Sequence, residues 1–350
     1  MKNINPNKAN SFISEEEKKQ LKERIDSSIF SLKRKRTRRK YTSGFTLLVV
    51  VAFAIGFYIK QNKESNIEGY LQTADKVNVE SFNKVKLILN DKNEINIQQD
   101  SATISYSKTG GQVKIGNNNV IALETKNNTK TNYNTVVVPY GKRTKIELSD
   151  GTMVWLNSGS KLIYPIVFNN DKREVYIEGE GIFDVAHNKN HPFIVVAKNH
   201  EIEVLGTVFN VSNYTDEDII STTLKSGSVK INYLGDSYLK LKKSIKIKPG
   251  IAATYNKNSK SIQAKKVDIA DCFSWREGLF FFRNDNLEFI MKKLSRYYNV
   301  KITIENENLI EETFSGQLDL KEDISEVLKL IKETNNLEFN YSSDKKIIIN

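Results

Sequence analysis

"EIEVLGTVFNVSNY", Glu201–Tyr214, is an extended run whose apolar parity changes halfway. Ile202 and Val204 fall on even positions, Phe209 and Val211 on odd ones, and Gly206-Thr207 lies between them. Strand side chains alternate with a period of two, so one unbroken strand cannot keep both sets on the same face. A bulge, a bend or a break is therefore expected near Gly206. The stretch belongs to a long region, Ser81 to about Asp268, that lacks helical periodicity. Its short alternating runs are separated by turn pairs such as Gly110-Gly111 and Asp150-Gly151. Such spacing predicts an all-β sandwich, barrel or solenoid. "LNDKNEINI" (Leu89–Ile97) is echoed by "LSDGTMVWL" (Leu148–Leu156) 59 residues later, which favours a solenoid-like or duplicated β-architecture.

After Trp275 the periodicity changes. "GLFFF" (Gly278–Phe282), "VKITI" (Val300–Ile304), "TFSGQLDL" (Thr313–Leu320), "LEFNY" (Leu337–Tyr341) and "KIIIN" (Lys346–Asn350) read as strands. Leu287, Ile290, Met291, Leu294 and Tyr298 mark one amphipathic helix; Ile324, Val327, Leu328 and Ile331, capped by Asp323 and Glu326, mark another. The order βαββαββ predicts a small α+β domain over 269–350.

The N-terminal sixty residues have a different character. "KRKRTRRK" (Lys33, Arg34, Lys35, Arg36, Arg38, Arg39, Lys40) concentrates positive charge within a chain of net charge +11. The uncharged run Tyr41–Ile59 follows, which at about 1.5 Å per residue matches the roughly 30 Å hydrocarbon thickness of a bilayer. The expectation is a single transmembrane helix over 41–59, with 1–40 cytoplasmic, 60–80 a periplasmic linker and 81–268 an exported β-domain. The basic block serves as topology anchor, placing the protein in the inner membrane with its bulk periplasmic. Read this way, the block does not bind nucleic acid. Ser14 and Glu17 form a capping box. Leu21, Ile25, Ile29 and Leu32 then recur at helical spacing, a stripe that one helix cannot bury alone. It is either a docking helix for a cytosolic protein or a self-associating stalk.

Catalytic signatures are missing. The sequence has no nucleophile elbow, metalloprotease motif, phosphate loop or dinucleotide fingerprint, and the expectation is a non-enzyme with no cofactor and no metal. His187 and His191 lie in a turn-like stretch. Asp150-Gly151 reads as a tight turn, and Glu178 and Glu180, flanked by Gly179 and Gly181, as acids facing solvent or a partner. Trp155 and Phe183 read as core. The one cysteine, Cys272, excludes an intramolecular disulfide.

"VPYG", "LSDGT", "VWLNSGSKLIYP", "REVYIEGEGIFDV", "HPFIV", "VLGTVFNV", "LKSGSV" and "KPG", in that order from Val138 onward, closely resemble the exported domain of FecR-type transmembrane anti-sigma factors of the Bacteroidetes form. "FSWREG", "LEFIMKKLSRYYNV" and "FSGQLD" resemble the small domain that follows in such proteins, related to the short N-terminal module of secretins and TonB-dependent receptors. The resemblance covers roughly Ser81–Asn350 and departs from the family at Gly181-Ile182, where Ala-Tyr is usual, and in the short segment before Tyr41.

It implies an anti-sigma factor that controls a cytosolic ECF sigma factor. The signal would come from the periplasmic signalling domain of an outer-membrane TonB-dependent receptor and pass through periplasmic and membrane-embedded proteases. The Leu21, Ile25, Ile29 and Leu32 stripe would be the sigma-binding surface. The competing reading is a periplasmic receptor-docking adaptor without sigma binding. Some family members also cleave themselves at a Gly-Thr bond, so Gly206-Thr207 is either a structural irregularity or a scission point at which the Thr207 hydroxyl attacks the Gly206 carbonyl.

Overall fold

The computed structural model describes residues 14–350 except 62–66, 68, 72–76, 90–92, 98–102, 117–118, 123–131, 169–170, 199, 236–241, 336 and 344. The chain divides into two units, Met1–Ser65 and Asn66–Asn350.

The first unit contains α1 (Glu15–Gln61). Its start is the expected capping box: the Ser14 Oγ accepts from the Glu17 N–H at 3.2 Å and the Glu17 carboxylate accepts from the Ser14 N–H at 3.0 Å. Glu15, Glu16 and Glu17 place negative charge on the positive end of the helix dipole. The helix does not stop at Lys33. It runs on unbroken, because no Gly or Pro interrupts it before Gly44.

The expected transmembrane span at Tyr41–Ile59 is overturned. Among the described residues, no helix is long and apolar enough to cross a membrane. The membrane-anchored fold is therefore replaced by a mainly β protein with a curled sheet. Basic-block side chains Lys33, Arg34, Lys35, Arg36, Arg38, Arg39 and Lys40 lie outside the described residues.

In the second unit, strands β1–β18 form one hydrogen-bonded sheet that curls into two facing layers. The first layer runs in the order β2 (Asn93–Ile97), β1 (Val85–Leu89), β6 (Tyr133–Val138), β9 (Ser160–Pro165), β10 (Arg173–Asp184), β11 (Phe193–Ala197), β12 (His200–Val204), β15 (Val229–Leu234), β16 (Lys242–Ile247). The second runs β5 (Asn119–Ala122), β4 (Gln112–Ile115), β3 (Thr103–Tyr106), β7 (Thr144–Glu147), β8 (Met153–Leu156), β10, β13 (Val208–Asn213), β14 (Ile219–Ser226), β17 (Ile251–Asn256), β18 (Ser261–Lys266).

The shared strand is β10: residues 173–178 pair in the first layer and 179–184 in the second. It turns between them at Gly179 (φ +92°), where an added Cβ would sit 2.6 Å from the Ser160 Cα. Only glycine fits such a crossing. Leu87, Val136, Val175 and Phe193 of one layer and Ile104, Ile146, Phe183 and Phe209 of the other share one buried core. Phe183 stacks on Phe209 with centroids 5.2 Å apart.

The echoed segments form the same hairpin twice. Leu87 pairs with Ile95 in β1–β2, and Ile146 pairs with Val154 in β7–β8, both pairs shifted by 59 residues. The two hairpins lie in opposite layers. On the outer surface of the first layer, Ile67, Tyr70 and Leu71 cover Tyr133, Ile163, Tyr176 and Val196.

The C-terminal elements are α2 (Ile269–Phe273), β19 (Leu279–Asn286), α3 (Leu287–Tyr298), β20 (Lys301–Ile304), β21 (Thr313–Asp319), α4 (Ile324–Asn335), β22 (Phe339–Ser343) and β23 (Lys346–Ile349). From β19 onward this is the βαββαββ order. β19 pairs with β21, while β23 lies between β20 and β22. Leu287, Ile290, Met291 and Leu294 of α3 join Val327, Leu328 and Ile331 of α4 in a separate core, as the 3.6-residue periodicity requires.

Candidate functional site

The parity change at Gly206-Thr207 marks a change of layer. β12 ends at Val204 in the first layer and β13 begins at Val208 in the second, so Ile202, Val204, Phe209 and Val211 all point into one core from opposite sides. Gly206 is required by a close approach: an added Cβ would lie 2.4 Å from the His187 Nδ1. Its φ lies outside the left-handed region. The Thr207 hydroxyl is buried and donates to the Ser228 carbonyl at 3.1 Å, and the Val185 N–H donates to the Thr207 carbonyl at 3.1 Å. The corner is thus held by ordinary hydrogen bonds. Among the described residues no group of three or more His, Cys, Asp and Glu side chains is placed to hold a metal ion.

A dense polar arrangement in the second unit lies where the C-terminal elements meet the curled sheet. After the Gly179 crossing, Glu180 is buried and accepts from Asn157 Nδ2 at 2.8 Å and Asn210 Nδ2 at 3.1 Å. It therefore faces neither solvent nor a separate partner; it is a floor for α3, whose Lys293 Nζ lies 3.8 Å away. Glu178, the other acid of the pair, lies across β9–β10 from the buried Lys161 at 3.0 Å.

α3 is capped by Asn286, whose side chain accepts from the Phe289 N–H. With one stripe committed to the small core, the opposite stripe presents Lys292, Lys293 and Arg296 to the sheet. Arg296 is 3% exposed. Its guanidinium binds both oxygens of Asp216 at 2.7 and 2.8 Å, and Glu217 at 2.5 Å, and lies 3.8 Å over the Tyr214 ring. The Tyr214 hydroxyl donates to the Ser158 carbonyl at 2.9 Å. Behind the loop, the Lys257 ammonium donates to the Tyr214 and Glu217 carbonyls.

Burial by itself would lower the Arg296 pKa, but Tyr214, Glu217 and Asp216 outweigh it and hold the guanidinium above its usual value. Burial, reinforced by Glu180, pushes the Tyr214 phenol up, so it stays neutral. The two carboxylates and the Tyr214 ring offset the cost of burying this ion, whose Nε makes no hydrogen bond among the described residues.

Two more contacts close the junction. The Gly141 N–H donates to the Arg296 carbonyl at 2.8 Å. Arg143 donates to the Trp275 carbonyl at 2.9 Å and to the Tyr297 hydroxyl at 3.1 Å. Trp275 is buried with Ile182 and Phe273, and Trp155 packs against this cluster rather than in the main core. The remaining cavity, about 30 Å³ between Asn157, Glu180, Trp275, Lys293 and Arg296, holds a water or two and no metabolite. Such a site fixes one domain on another.

Sequence reasoning passed over Arg296. The signals were the acidic loop "YTDED" (Tyr214–Asp218) and the basic stripe within "MKKLSRYY" (Met291–Tyr298), more than seventy residues apart. Asp150 is more than a turn residue: it accepts from the Thr152 N–H and binds the buried Arg173 at 2.7 Å. In the first unit, Leu21, Ile25, Ile29 and Leu32 are exposed by 46–65%, and Phe30 by 70%.

The sequence model of the family described as FecR protein matches residues 134–230, and that described as FecR, C-terminal matches residues 279–349. Two crystal structures of a candidate anti-sigma factor from Parabacteroides distasonis ATCC 8503, at 1.65 and 2.50 Å resolution, are similar to this chain. Each has a TM-score of 0.57 and 25% identity, covering 62% of this chain and 98% of the other. No curated protein matches the chain. The first matched segment carries the floor of the site and the second carries α3 with Arg296: the chain belongs to the FecR family.

Proposed function

We propose that this protein is an anti-sigma regulator: α1 binds a sigma factor, and the folded second unit receives the signal that ends the binding. The observation that carries this reading is the stripe of Leu21, Ile25, Ile29 and Leu32. These are large apolar side chains, 46–65% exposed, at helical spacing on a helix whose start is firmly capped. A single helix stripe of this kind gains stability only by docking into an apolar groove. The similarity to the Parabacteroides candidate anti-sigma factor supports the same reading for the folded unit.

In the finer scheme the sigma factor is of the ECF class. The signal comes from the signalling domain of an outer-membrane TonB-dependent receptor and engages the second unit, and periplasmic and membrane-embedded proteases then release the sigma factor. The protein works at the inner membrane, where the basic block Lys33–Lys40 is attracted to anionic headgroups at about 1 kcal/mol per charge. The test is co-purification of the full chain with each ECF sigma factor of its host. Retention of one, lost on Ile25→Glu/Ile29→Glu, supports the reading. If the wild-type chain retains none and deletion of the helix leaves transcription unchanged, the protein is a receptor-docking adaptor instead.

A further inference from the structure

Lys161 points away from the core and is nonetheless buried. In β9, Leu162 and Tyr164 belong to the main core and Ile163 to the outer cluster beneath Ile67, so alternation puts Lys161 on the outer face. In β10 the same alternation puts Val175 and Ile177 inside and Tyr176 and Glu178 outside. An outward lysine ordinarily reaches water, yet the Lys161 side chain is 2% exposed and that of Glu178 19%. The two line a cavity of about 390 Å³, within the roughly 300–1,000 Å³ of small-molecule sites. Val77, Asn78 and Val79, from the chain that joins α1 to β1, form part of its wall, and the loop after β13 adds Thr215 and Asp216. The Lys161 ammonium carries three N–H donors, and among the described residues the Glu178 carboxylate at 3.0 Å is the one acceptor it meets. An ion pair this buried adds little net stability, since apolar side chains of similar volume serve as well. Its value lies in what its open edge can hold.

We propose that this cavity binds a small zwitterion, a free α-amino acid, with its carboxylate on Lys161 and its ammonium on Glu178. A cation and an anion 3.0 Å apart are complemented by an anion and a cation about as close, and an α-amino acid holds the two across a single carbon. A lone anion would be repelled by Glu178 and a lone cation by Lys161, so neither matches the pair. Asp216 leaves this balance intact, because the Arg296 guanidinium already binds both its oxygens. The bound molecule touches three parts of the fold at once: the connector at Val77–Val79, the β10 crossing at Gly179 and the loop that holds Arg296. Occupancy therefore fastens the connector to the sheet. The site lies wholly in the second unit and does not depend on what α1 binds.

Calorimetric titration of the full chain with each free L-amino acid in turn tests this. At least one binds saturably, and its N-acetyl derivative, which lacks the ammonium, binds at least about tenfold more weakly. Lys161→Met/Glu178→Leu removes the charged edge at similar volume, a replacement that buried ion pairs tolerate without loss of stability. That variant unfolds at the wild-type temperature or above and no longer binds. In the wild-type chain, amide hydrogen exchange at Val77–Val79 slows when the amino acid is bound. Should the double variant fail to fold, Thr215→Trp at the exposed rim fills the cavity without touching the core, and binding is lost there too. Absence of binding by every amino acid overturns the proposal. So does equal binding of the N-acetyl derivative, binding that the folded variants keep, or exchange at Val77–Val79 that binding leaves unchanged.

Discussion

Arg296→Met tests the docking of the C-terminal domain quantitatively. The Arg296 and Glu217 side chains are 4% and 6% exposed, so the substitution leaves a buried carboxylate uncompensated. Removing one partner of such a pair costs about 3–5 kcal/mol. Asp216 is 47% exposed and can rehydrate, so Asp216→Asn costs no more than about 1 kcal/mol. Glu217→Gln in the Arg296→Met background removes the stranded charge, and the double variant recovers about 2 kcal/mol relative to the sum of the single ones. Urea unfolding followed by tryptophan fluorescence reports on this region directly. The chain has two tryptophans, Trp155 and Trp275, and both pack at the junction. A loss below 1 kcal/mol for Arg296→Met, or strict additivity in the cycle, refutes the reasoning that the buried ion pair holds the two domains together.

His200 is buried against Tyr255, with ring centroids 4.5 Å apart, and burial lowers its pKa to about 4. The native state therefore resists a proton that the unfolded chain takes up near pH 6.5. Stability is full above that pH and falls between pH 6.5 and about 4, by about 3 kcal/mol; a His200→Phe variant should lose this part of the pH dependence in urea titrations. At the layer crossing, the Thr207 hydroxyl is engaged by the Ser228 carbonyl, and Gly206 shows no left-handed strain. The purified chain should therefore give one intact mass, and fragments ending at Gly206 that vanish in Thr207→Ala would contradict this. Gly141→Ala should loosen the junction: Gly141 adopts φ +76°, and the added Cβ would lie 3.2 Å from the Asn299 Cβ, which limited proteolysis between the domains would register.

Much of the fold is legible because it is local. The parity change at Gly206 is visible since alternation is a property of neighbouring residues, and the capping box at Ser14-Glu17 and the stripes of α3 and α4 are visible for the same reason. The echo of Leu89–Ile97 in Leu148–Leu156 located a repeated hairpin, because its register depends on the same turn spacing twice. What the echo could not reveal is that the two hairpins lie in opposite layers. That depends on the Gly179 crossing in β10, where a glycine between two glutamates reads equally well as a bulge. Glu180 was misread for a related reason: its partners, Asn157, Asn210 and Lys293, are distant in sequence and converge only after the C-terminal domain docks. Arg296 was hidden because a basic residue on the polar side of an amphipathic helix ordinarily faces water. The uncharged run after Lys40 met the length criterion for a membrane span, but apolar length in a sequence is a weaker statement than a helix long and apolar enough to span.

The central claim is that α1 holds a sigma factor through Leu21, Ile25, Ile29 and Leu32. Calorimetric titration of the host's ECF sigma factors into the full chain measures it directly. The account predicts saturable binding of at least one, weakened a hundredfold or about 2.7 kcal/mol by Ile25→Glu/Ile29→Glu, with the second unit's unfolding unchanged. Binding that this double substitution leaves intact, or no binding by any of them, contradicts the account.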